Sequence, residues 1–148
     1  MRKRLALVGI GSISNVVDIT NFVLKELGQP MHAFDYSYLE GEEIVVRRAN
    51  DGEKIVTLDE KEFELNSNNL VICDGKKPVA LAGIMGGLNS EINDGTTEVM
   101  FESAKFARDN IRKSSRALGQ SSDSSALYSK GVNEYTTAMA MKLSLIHI

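Results

Sequence analysis

A chain of 148 residues is long enough for one domain with its own core, and 43% hydrophobic against 25% charged residues are ordinary globular proportions that argue against disorder. With 17 basic and 20 acidic side chains the net charge is −3, which excludes a strongly basic nucleic-acid binder while leaving room for a local basic stripe. The single cysteine, Cys73, excludes an internal disulfide framework and reads as a buried strand residue in a reducing, cytoplasmic setting.

Taken in order, Met1–Ile13 opens basic and continues as an apolar, strand-like run, and it reads as the trimmed edge of something larger. The spacing of Val16, Ile19 or Thr20, Val23 and Leu27 then predicts a helix. Ser14 or Asn15 caps it, and Gly28 with Pro30 ends it. Met31-His32-Ala33-Phe34-Asp35 mixes large apolar groups with an imidazole and a carboxylate, and is expected to be pinned between that helix and a sheet. Ile44–Arg47 and Ile55–Leu58 flank Asn50-Asp51-Gly52 and predict a hairpin. Glu62–Leu65 alternates as a short half-exposed strand. Leu70–Cys73 is a buried strand that turns at Asp74-Gly75 into Pro78–Ala82, a second hairpin. The glycines at 83, 86 and 87 end that strand and permit close backbone approach. A polar loop from Leu88 to Gly95 leads to the strand Val99–Ala104 and a helix from Phe106 to Leu118, closed by Gly119. Ser121–Ser125 reads as a polar loop, and a last helix begins near Asn133. Residues 143–148 carry no interpretable pattern, and the chain ends without a cap, as a fragment would. One helix, about six strands in hairpins and two more helices make a single α+β domain over residues 1–148.

No apolar run approaches the roughly 20 residues that span a bilayer, and no zinc-ligand, Walker or Rossmann spacing supports a metal or nucleotide cofactor. No Ser-His-Asp or Cys-His order supplies a protein nucleophile, so any hydrolysis here uses water. His32 is open to two readings, a structural histidine or part of a polar pocket with Thr20 and Asn21. Glu102 follows three apolar residues in its strand, and alternation leaves inward and outward orientations equally open. Gly83, Gly86 and Gly87 form either a tight turn or a backbone wall against a ligand. The Ser121–Ser125 run either caps a helix or lines a pocket with hydroxyls. Arg108, Arg112 and Arg116 share one helix face, which is either solvated or in contact with phosphate.

From Leu5 to Lys142 the chain resembles the editing domain of the β subunit of bacterial phenylalanyl-tRNA synthetase. The resemblance rests on the run Asn15–Asp35, on Leu81-Ala82-Gly83-Ile84-Met85-Gly86-Gly87, on Phe101-Glu102-Ser103-Ala104, and on Ile111-Arg112. It continues through Asp123-Ser124-Ser125 to Lys130-Gly131-Val132. It implies a three-layer β-β-α sandwich of mostly antiparallel strands with helices on one side, and hydrolysis of tyrosine wrongly attached to tRNA(Phe). A second site is needed there because an apolar synthetic pocket rejects an added hydroxyl only weakly. Carried over, Glu102 accepts the phenol hydrogen bond, while His32, Asn21 and Thr20 position water and ester. Gly86 and Gly87 form the pocket wall, and Ser122 and Ser124 stand at small pocket positions. With tRNA as substrate, Arg108, Arg112 and Arg116 become the candidate RNA contacts. The resemblance also implies a heterotetramer with the α subunit and the rest of the β subunit. ATP and magnesium would be used elsewhere in the parent enzyme, with no cofactor, membrane or DNA here. The alternative is a non-catalytic structural or tRNA-docking module. Gly11-Ser12 and Ala126-Leu127-Tyr128-Ser129 depart from the family pattern.

Overall fold

A computed structural model describes residues 1–148. Its elements run α1 (Arg2–Leu7), α2 (Asn15–Leu27), β1 (Met31–Asp35), β2 (Val45–Arg48), β3 (Lys54–Val56), β4 (Glu62–Glu64), β5 (Leu70–Cys73), β6 (Pro78–Leu81), β7 (Met85–Gly86), β8 (Val99–Ser103), α3 (Arg108–Leu118), α4 (Asp123–Lys130) and α5 (Tyr135–His147). All strand pairings are antiparallel, and the class is α+β. No helix is long and apolar enough to cross a membrane.

Alternation along the strands explains the layering. β5 and β6 are the middle strands of a sheet ordered β2-β5-β6-β7. Val71, Cys73 and Leu81 pack on one side with Ile111 of α3 and Tyr128 of α4. Ile72, Val79 and Ala80 pack on the other with Phe34 of β1. A strand buried on both faces needs a neighbour along each edge and a layer above and below, and β5 has all four. The second layer is the two-stranded β1–β8 pair. Phe34 faces the four-stranded sheet, and Met31, on the opposite phase, packs with Ile19 and Val23 of α2 and Ala140 of α5. The stack from four-stranded sheet through β1–β8 to α2 and α5 follows from that alternation, and α3 with α4 covers the remaining sheet face.

α2 forms where the apolar spacing places it. Ser14 is extended and its side chain accepts the Val17 N–H, and Gly28 closes the helix in the left-handed conformation at φ 66°. Several elements differ from the sequence expectation. Residues 2–7 are a short helix with only Leu5 buried, not a strand. β2 pairs with β5 instead of forming a hairpin with the next strand, and β3 pairs with β4. The turn at Asn50 does form, with Glu53 accepting the Asn50 N–H and binding both terminal nitrogens of Arg47 in β2, but the strand that follows pairs with β4. Residues 123–130 are a helix whose cap, Ser122, lies inside the run read as a loop. Residues 143–147 continue α5, with Ser144 buried and Leu143 packed beside Ile19 and Val23.

Candidate functional site

The inner face of the β1–β8 pair brings two titratable side chains together. β1 and β8 are antiparallel with His32 directly opposite Glu102 and Phe34 opposite Met100, so all four project toward the four-stranded sheet. Phe34 and Met100 meet apolar core there. His32 and Glu102 instead line a cavity of about 140 Å³ whose wall also includes Leu58, Gly83, Met85, Gly86, Ser124 and Tyr128. That is about the volume that admits one benzene ring.

Glycine at position 86 is a steric requirement. A Cβ built there would lie 2.6 Å from His32 Nε2 and would overlap its Cε1. The ring is held from the other side by Phe34, edge to face, at 4.5 Å between centroids. Gly83 has φ +66° and would strike Phe106, Tyr128 and Ile111 if it carried a Cβ. Ser122 then ties this glycine segment to α4: its hydroxyl donates to the Ile84 carbonyl at 2.6 Å and accepts the Ser125 N–H at 3.1 Å. The end of β8 is fixed separately. The Ala104 carbonyl accepts from Gln29 Nε2 at 2.9 Å and from the Tyr128 hydroxyl at 3.0 Å. Gln29, fully buried at the α2–β1 joint, also accepts from Thr136 of α5.

Burial dominates the electrostatics. It lowers the pKa of His32 to about 4 and raises that of Glu102 to about 7, with no charge or hydrogen bond offsetting either shift. His32 is thus neutral at physiological pH, and Glu102 stands near its midpoint. His32 Nε2 is enclosed and makes no hydrogen bond with the protein. Burial and the Glu102 charge together push the Tyr128 hydroxyl up, so it stays protonated. A neutral imidazole with an unpaired nitrogen and a carboxyl group without a donor, around a ring-sized space, are what a bound polar-aromatic group would satisfy.

Of the residues singled out in the sequence, His32, Glu102, Gly86, Ser122 and Ser124 share this wall. Gly87 lies one residue beyond it; its N–H bonds to the Val79 carbonyl, where a Cβ would collide. Thr20 is buried in α2 with its hydroxyl donating to Val17 O at 2.8 Å, and Asn21 is half-buried on the same helix; neither lines the cavity. Arg108, Arg112 and Arg116 are exposed on α3, away from the cavity wall. Tyr128, Leu58 and Met85 were not anticipated. An aromatic residue set among serines was the available signal for Tyr128, but without a predicted α4 it had no face to occupy.

Comparison with known proteins gives a consistent picture. The B3/4 domain family matches residues 1–146. The phenylalanine–tRNA ligase β subunit of Syntrophus aciditrophicus is 59% identical over 133 residues, which is 90% of this chain and 16% of that protein. The corresponding subunits of Moorella thermoacetica and Bacillus cereus are 54% identical over 129 residues and 51% over 142 residues, covering 87% and 96% of the chain. The chain spans 16% to 18% of the length of these curated relatives.

Proposed function

This chain belongs to the B3/4 domain family, and from that membership and its cavity we propose that it is the proofreading part of a phenylalanine–tRNA ligase β subunit. In this reading it hydrolyses the ester of tyrosine mischarged onto tRNA(Phe). The observation that carries the reading is the His32–Glu102 cross-strand pair facing a ring-sized cavity. The phenol hydroxyl of the tyrosyl group donates a hydrogen bond to Glu102, supplying the donor that the protein does not. A phenylalanyl group leaves that carboxylate desolvated and unpaired. Such an unmet acceptor costs about 1–3 kcal/mol, or about ten- to a hundredfold in discrimination.

His32, kept neutral by burial, accepts a proton from the attacking water. The water oxygen bonds to the ester carbonyl carbon, the bond to the ribose oxygen breaks, and the proton passes to that oxygen as it leaves. Gly86 lets the imidazole sit against backbone, and Ser124 keeps the wall open. Asn21 and Thr20 belong to this reading as residues that support the helix behind β1 and the orientation of its histidine. The parent enzyme's α subunit, the remainder of the β subunit and tRNA(Phe) are the partners. ATP and magnesium belong to its synthetic site, and the reading places the work in the cytoplasm.

The test is hydrolysis of purified tyrosyl-tRNA(Phe) by the His32→Gln chain. Loss of a general base predicts a fall of at least about a hundredfold, with the tRNA still bound. An unchanged rate would leave the domain as a tRNA-docking module.

A further inference from the structure

A second site lies on the opposite side of α4's first turn. α3 and α4 enclose a shallow groove of about 260 Å³, lined by Arg112, Arg116, Ser121, Ser129 and Ala126 among others. Arg112 and Arg116 stand one helical turn apart and point to the same side. Both are exposed, and neither forms an ion pair or a side-chain hydrogen bond, whereas the third arginine of the helix, Arg108, reaches Asp109 at 3.4 Å and lies outside the groove. The hydroxyls of Ser121 and Ser129 are also uncommitted. The neighbouring Ser115 and Ser125 are spent on Gln120 O and on the cap of α4.

No carboxylate lines this groove. The nearest one in sequence, Asp123, is held by Lys25 at 2.9 Å. Two free guanidinium groups with free hydroxyls and no acid between them form an anion site in a chain whose net charge is −3. Its location matters as much as its charge. Ser121 and Ser125 face the groove while Ser122 and Ser124 face the cavity, so one helix, about 10 Å across, separates the two.

We propose that the Arg112–Arg116 groove binds a backbone phosphate of the RNA strand whose esterified end occupies the cavity. The identity of the strand rests on the hydrolase reading; the groove's preference for a phosphodiester does not. Phosphate contacts carry register and not sequence, so the groove sets how far the strand advances before its terminal ester meets His32. Among the three arginines of α3 it assigns this role to two.

The test is fluorescence anisotropy of the full chain with a labelled RNA hairpin carrying a single-stranded, uncharged 3′ end, titrated across salt concentration. The Arg112→Gln/Arg116→Gln double variant is expected to bind at least tenfold more weakly. Its plot of log affinity against log salt is expected to be flatter by about 0.7, since one single-strand phosphate contact is lost. Lys54→Gln, a single-charge control in the β3–β4 ribbon, leaves both within twofold. No measurable binding by the unmodified chain, or an unchanged slope in the double variant, overturns the proposal. Because the readout is binding of an RNA with no ester, it is independent of whether the cavity hydrolyses anything.

Discussion

Asp74 is a buried carboxyl group and Glu102 a half-buried one on the cavity wall, and the protein treats them in opposite ways. Burial is the largest single influence on each. At Asp74 it is outweighed by the N–H groups of Glu40, Lys77 and Lys76, at 3.0, 2.8 and 2.8 Å, and by the Lys77 ammonium at 3.2 Å. Its pKa falls below the usual carboxylate range. At Glu102 nothing answers the burial, and the pKa rises to about 7. The first arrangement closes the turn between β5 and β6 and holds it to Glu40. The second is a poor way to stabilise a fold and a good way to recognise a hydroxyl. In the proposed reading stability and recognition fall to different carboxylates, and substitution separates them.

The largest effect on folding is expected at the satisfied group. Asp74→Ala strips three backbone donors of their acceptor and should lower stability by about 3 kcal/mol in urea unfolding, with hydrolysis per folded molecule retained at low temperature. Gly86→Ala forces a methyl group into the His32 ring. It should cost about 1–3 kcal/mol of stability and reduce hydrolysis at least tenfold. A variant that folds and hydrolyses normally would show that the imidazole does not need its position.

The unsatisfied pair should appear in pH dependence. His32 titrates at about 4 in the folded chain against 6.5 unfolded, so its contribution is lost as pH falls from 6.5 to 4. Glu102 titrates at about 7 folded against 4.5 unfolded, so it lowers stability as pH rises from 4.5 to 7. The slopes oppose and largely cancel where they overlap. Glu102→Gln should therefore unmask stability that increases with pH, and His32→Gln stability that decreases, each by at most about 1.4 kcal/mol per pH unit. Slopes of the same sign in both variants would remove the assigned environments. The smallest effect is expected at the exposed Lys25–Asp123 pair, where Lys25→Ala should change stability by less than about 0.5 kcal/mol.

Local chemistry was legible in the sequence where it is decided locally. Ser14 and Gly28 bracket α2, Asp74-Gly75 turns β5 into β6, and Gly119 closes α3 in the left-handed conformation. Pairing decided at a distance was not. The turn residues at Asn50 pointed to a hairpin, but β5, apolar on both faces, takes β2 as its neighbour, and β3 pairs with β4. α4 was hidden because its serines give no apolar stripe; only Ser125 and Tyr128 are buried along it. The candidate site follows the same division. His32 and Glu102 stood out by residue type, yet only the register of two strands far apart in the chain sets them face to face. Thr20 and Asn21, close to His32 in sequence, belong to a helix behind the strand and not to the cavity wall.

The most direct measurement is the ratio of hydrolysis rates for tyrosyl-tRNA(Phe) and phenylalanyl-tRNA(Phe), compared between the unmodified domain and Glu102→Ala in the complete enzyme. The account predicts preferential hydrolysis of the tyrosyl ester and a drop in that preference of about ten- to a hundredfold on substitution. An unchanged preference, or no hydrolysis of either ester by an enzyme that still aminoacylates, would contradict it.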